Sequence, residues 1–180
     1  MRQVLQNQAG TVSYFRQCPI SYTLGVRGDY CTGWWERDLT TLRGRRWVTR
    51  PRPHVDRVAS AWLIKRFIDV DAQFVFAPPA EFPKDAIAFD APGVELSHQG
   101  EDCTFETLIK RARLRDRRLA RLAEVVHEAD LRDGKFPHEE ARGIDVAIRA
   151  LLAASPDDHQ VLGHGMTLFE GLYATTAKKS

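Results

Sequence analysis

Apolar residues recur at helical spacing in several long stretches of the chain, and at strand-like spacing only in short runs. Ile144, Ala147, Ile148, Leu151 and Leu152 follow the i, i+3, i+4, i+7, i+8 template of a helix with one buried face, which Pro156 ends. Leu119, Leu122, Ala123 and Val126 place a second stripe on a helix over about 116–130, followed by the turn signal Asp133-Gly134. Val55, Val58, Ala59, Trp62 and Leu63 predict an earlier helix over 55–69, with Lys65 and Arg66 near the end where cations suit the helix dipole. Val161, Leu168, Phe169 and Leu172 mark a last helix. A shorter one is expected over 104–113, with Thr104 as its N-cap and, because Thr107 stands three residues on, no capping box.

The strand-like runs are 46–49 (RWVT), 74–77 (FVFA), 86–90 (AIAFD) and 94–98 (VELSH), punctuated by Pro51, Pro53, Pro78, Pro79, Pro83 and Pro92. Strands early and helices late predict an α/β (α+β) domain, with a small sheet in the first half covered by helices and a helical second half. Residues 1–40 fit neither period. Gly10, Pro19, Gly25, Gly28 and Gly33 interrupt them, so they read as an irregular arm ahead of a single domain over 41–180. Trp34 and Trp35 would pack that arm on its own domain or on a second copy of the chain, as in a homodimer.

Composition narrows the classes without naming a chemistry. The 180 residues suit one domain, and 43% apolar with 28% charged is ordinary for a globular protein. The 26 basic against 24 acidic residues leave +2, too little excess to favour nucleic acid as a partner. Three cysteines, Cys18, Cys31 and Cys103, form no C-x-x-C pair and suit a reducing, cytoplasmic setting. No signal-peptide pattern opens the chain, and no run of about 18 apolar residues predicts a membrane span.

The candidate chemistry lies in a few polar clusters. Asp56 and Ser60 share one face at a helix start, where free N–H groups favour anions; the plain alternative is that Asp56 caps its own helix and Arg57 is solvated. Asp90 ends a predicted buried strand, the place where ligand-bearing carboxylates emerge in α/β sheets. His98 lies in a polar stretch with no packing role, and Glu106 follows it. Imidazole with carboxylates is the ligand set of a Zn, Mn or Fe site. His127 and Asp130, three residues apart, continue an apolar stripe and so border the core, where a bare carboxylate is costly. Asp130 is therefore the strongest single candidate. Cys103 stands at a helix start that would favour its thiolate, although such a cysteine more often simply packs. His138, His159 and His164 stand near helix starts or in Gly-flanked turns and read as surface residues. Arginines crowd two segments, 43–57 and 110–121, which suits either a solvated face or an oxyanion.

The segments WVTRPRPHVDRVASAWLIKRFID (47–69), FDAPGVELSHQGEDCTFETL (89–108) and HEADLRDGK (127–135) together resemble the C-terminal domain of the chromate-resistance protein ChrB family, over about 43–152. The resemblance implies a role in bacterial chromate resistance and a stress response, in a family whose full-length members look like chromate-responsive regulators of an efflux operon. It points to Asp56, Arg57, Trp62, Asp90, His98, Cys103, Phe105, Glu106 and Asp130. Those relatives carry a substantial N-terminal domain where about 40 poorly patterned residues stand here, so a regulator's DNA-binding element is not evident. A looser likeness is to DHH-type manganese phosphoesterases, through His54, Asp56, Ser60, Asp90, His98 and Asp130, with Ser97-His98-Gln99 in place of an Asp-His-His triplet. The expected function is a cytoplasmic chromate-resistance domain that senses or handles chromate by binding a divalent metal (Mn, Zn or Fe) on Asp56, Asp90, His98 and Asp130, a small oxyanion, or both. Arg52, Arg57 and Ser60 would receive a small oxyanion, chromate or phosphate-like. The alternatives are a metal-dependent phosphoesterase or redox enzyme with Glu106 or His127 as general base, and a transcriptional regulator.

Overall fold

Among residues 39–176, which the computed structural model describes, there are three short strands and five α-helices. The expected arm, with Cys18, Cys31, Trp34 and Trp35, lies outside the described residues. β1 (Arg46–Thr49) runs through the middle of a parallel sheet of order β2-β1-β3. Its neighbours are β2 (Gln73–Phe76) and β3 (Ile87–Ala88), with Trp47 level with Phe74 and Ile87. Alternation sends Trp47 into the main core and Val48 into a smaller cluster with Phe82 and Ala91. A parallel sheet buried on both faces explains why RWVT shows no polar–apolar alternation.

α1 (Val55–Leu63) bridges β1 and β2, and a π-helical turn over Ile64–Ile68 carries it to the predicted end. Asp69 then closes the crossover. Its buried carboxylate accepts hydrogen bonds from Gly44 N (2.7 Å), Arg45 N (2.8 Å) and Trp47 Nε1 (3.1 Å), fastening the chain ahead of β1 to the end of α1. Burial alone would raise its pKa, but these bonds outweigh it and hold the carboxyl below its usual range.

Two strand expectations shrink. The run 86–90 keeps only Ile87–Ala88, and 94–98 is no strand, touching the sheet through one isolated Phe89–Leu96 bridge. The cause is local: Asp90 takes φ +46° and Gly93 φ +76°, so the backbone turns before a longer ladder can form.

The second half is helical, with α2 (Thr104–Arg111), α3 (Arg117–Leu131), α4 (Glu139–Ala154) and α5 (Asp158–Thr176). Cys103, not Thr104, is the N-cap of α2. Glu106 accepts from Cys103 N at 2.9 Å, the reciprocal bond of a capping box that the Thr107 count overlooks. His164 sits inside α5 rather than in a turn, although it is exposed as expected, like His159. His138 is not a free surface residue: it opens α4, half-buried, with Nε2 2.7 Å from Glu124. The second arginine group is largely engaged with nearby acids, Arg111 with Glu95, Arg118 with Asp116 and Arg121 with Glu124.

α1 lies at the centre of the helices. Trp62 packs among Phe67, Phe105, Phe169 and Tyr173, and its Nε1 donates to Glu170 at 2.9 Å. α5 can approach α1 because position 165 is glycine; a Cβ there would lie 2.3 Å from Val58 Cγ1. Gly165→Ala should therefore destabilise the fold by about 1–3 kcal/mol despite its better helix propensity, read as a lower urea midpoint. An unchanged or higher midpoint would show that the two helices separate freely.

Candidate functional site

Strand order reverses between β1 and β3, and ligands in open parallel sheets sit beyond the carboxyl ends of strands at such a switch point. Arg50 follows β1 there, and Asp90 lies two residues past β3. The left-handed backbone of Asp90, which Asp tolerates better than most residues, turns its buried carboxylate back towards α1. Arg57 Nε donates to Asp90 Oδ2 at 2.7 Å, Arg50 Nε donates to the Asp90 carbonyl at 3.1 Å, and Thr104 Oγ1 donates to Asp90 Oδ1 at 3.1 Å.

Asp56 does not cap its own helix, whose N-cap is His54. It caps α2 from across the fold, accepting from Thr104 N at 2.8 Å and Phe105 N at 2.9 Å. The positive end of the α2 dipole thus faces a buried carboxylate. Ser60, fully buried, places its Oγ 3.4 Å from Asp56 Oδ1.

His98 brings the acids together. Its Nε2 lies 3.1 Å from Asp56 Oδ2, 3.5 Å from Asp130 Oδ2 and 3.8 Å from Asp90 Oδ1, and its ring is 39% exposed, so the centre opens to solvent on this side. The hydrogen bond with Asp56 is the main reason its pKa is raised, with burial opposing and the other acids assisting. Asp130 rises to about 6, through burial first and then the charges of Asp56 and Asp90. The four residues expected to act together, Asp56, Asp90, His98 and Asp130, do converge, and Asp56, Asp90 and His98 offer atoms within 4.8 Å of one another.

The expected anion ligands are placed differently from one another. Arg57 is not solvated: besides Asp90, it donates to the carbonyls of Arg50, Pro51 and Arg52. Arg52 turns away, with its guanidinium on the Ser155 and Leu152 carbonyls at the end of α4. Arg50, which the pattern did not single out, takes the rim position instead, 38% exposed and 3.6 Å from Asp90. His54 points elsewhere, its Nε2 3.1 Å from Asp145 Oδ1.

Glu106 and His127 form a second cluster on the other side of the α2 start. His127, fully buried, has Nδ1 2.7 Å from Glu106 Oε2 and Nε2 3.2 Å from Asp133 Oδ2. Burial would lower its pKa, but the two carboxylates reverse that and raise it. Cys103 is buried beside them, and burial pushes its thiol up, opposite to the thiolate-favouring effect expected of a helix start.

Fold and site define an α+β domain whose sheet switch point and one helix N-terminus share an acid-and-histidine centre. The chain belongs to the ChrB C-terminal domain family, whose sequence model matches residues 47–176. It is similar to Protein ChrB of Cupriavidus metallidurans, at 37% identity over 139 residues, which is 76% of this chain and 42% of that protein. The chain therefore spans less than half the length of that relative. No solved structure matches it. Among the described residues no helix is long and apolar enough to cross a membrane.

Proposed function

We propose that this domain holds one divalent metal ion (Mn, Zn or Fe) between Asp56, Asp90, His98 and Asp130, and that the loaded centre receives a chromate-like oxyanion in the cytoplasm as part of chromate resistance. The observation that carries the reading is His98 Nε2 within 3.8 Å of carboxylates from three separate segments. Three acids packed this closely repel one another, and a divalent cation relieves that repulsion more fully than the protonation of Asp130. The donor set, three oxygens and one imidazole, suits Mn, Fe or Zn.

The order of binding follows from charge. An oxyanion alone would meet carboxylates, whereas after the metal it meets a cation on the exposed His98 side, with Arg50 at the rim. Arg57 then acts through Asp90, holding that ligand in place while three backbone carbonyls fix its own guanidinium. Ser60 serves in the same way on Asp56.

Calorimetry on the full chain tests this. Chromate should bind after loading with Mn, Zn or Fe and not before, and His98→Gln should abolish that metal-dependent binding. Chromate binding of equal strength by metal-free protein, or by the loaded His98→Gln variant, would overturn the reading.

A further inference from the structure

We infer that Cys103, Glu106 and His127 form a second metal site, distinct from the carboxylate centre and suited to a softer, zinc-type ion. One sulfur, one carboxylate oxygen and one imidazole nitrogen lie within 4.8 Å of one another, from the start of α2 and the last turns of α3. Zinc accepts this mixture, with bonds of about 2.0–2.3 Å, so a rotation of the Glu106 carboxylate that opens its 2.7 Å contact with His127 would admit the ion.

Three features point to a ligand rather than to packing alone. Cys103 and His127 are both fully buried, yet they carry ligating atoms that meet at one point. Asp133 faces Nε2 at 3.2 Å, the carboxylate–histidine arrangement that fixes the tautomer and leaves Nδ1 to ligate. Thr107, one turn beyond Cys103 on α2, is buried with a hydroxyl that has no hydrogen-bond partner among the described residues, an unsatisfied group beside two of the ligands in sequence.

The charges balance. Binding releases the thiol proton and the proton at Nδ1 of the imidazolium form, and the resulting thiolate and carboxylate neutralise a dication inside the core. No oxidant or reductant is involved. Of the three ligands, Cys103 and His127 are fully buried and Glu106 keeps 13% of its side chain exposed, so the cluster meets solvent through Glu106. The sulfur ligand separates the two sites: the carboxylate centre has none, so the softer ion belongs here.

Cobalt titration of the full chain carrying Cys18→Ser and Cys31→Ser, in which Cys103 is the one remaining thiol, tests the inference. A sulfur-to-cobalt charge-transfer band should grow to one equivalent and vanish on further replacing Cys103→Ser. The band should persist in His98→Gln, so failure here and failure of the carboxylate centre are separable. X-ray absorption of the zinc-loaded double variant needs no Cys103 substitution and should show one sulfur neighbour. Absence of the band or of the sulfur neighbour would overturn the proposal.

Discussion

Asp56→Ala is expected to lower stability by about 3–5 kcal/mol, a large share of what a domain of this size possesses. The carboxylate accepts from two successive amides at the start of α2, and alanine leaves both buried without a partner, at about 1–3 kcal/mol each. His98 and Ser60 lose their partner as well. Asp56→Asn keeps the shape and one acceptor oxygen, so it should fall between wild type and alanine. Urea unfolding followed by circular dichroism measures both. A loss below about 1 kcal/mol for alanine would mean that α2 is held in place by packing and that its cap is dispensable.

Asp130→Asn should act in the opposite direction on stability and abolish the metal response. The Asp130 carboxyl has its pKa raised from 3.8 to about 6, by burial and then by Asp56 and Asp90. Between those values the folded chain keeps a proton that the unfolded chain has released, so stability from this group falls as pH rises from about 4 to 6. Above that window the ionised carboxylate costs up to about 3 kcal/mol, at ~1.4 kcal/mol per unit. The neutral amide removes that cost. Metal-free Asp130→Asn should therefore be more stable than wild type at pH 7 by about 1–3 kcal/mol, with the gap closing at pH 4. Added manganese should raise the midpoint of wild type and not that of the variant. A variant destabilised at both pH values would show that Asp130 is held by a favourable contact in the metal-free protein.

The helices were legible because their signal is local. The Ile144–Leu152 stripe needs only the next turn of the same helix to declare itself, and it appears in α4 where the period puts it. The sheet was legible in its centre and overextended at its edge, because the strand-like composition of 94–98 says nothing about the left-handed turn at Asp90. Asp56, Asp90, His98 and Asp130 were legible as candidate ligands, from a helix start, a strand end, a polar stretch and a core border respectively, and they do lie together. Their partners were not. Asp56 caps a helix 48 positions away from it in the chain, and no local spacing encodes that. Arg50 and Thr104 look ordinary in sequence, as a solvated cation and a helix cap, until the fold sets both against Asp90. Glu106 and His127 stood in different clusters as alternative general bases, and only the packing of α2 against α3 sets Glu106 Oε2 2.7 Å from His127 Nδ1.

The first turn of α2 has a consequence for how this family can change over time. Its successive amides are divided between Asp56 and Glu106, with Cys103 and Thr104 donating to different acids. A substitution in this tetrapeptide therefore disturbs two neighbourhoods at once, and a compensating change in one does not repair the other. Positions 103–106 have little room to drift, and inherited variation should collect instead on the arginine-rich outer faces of the helices.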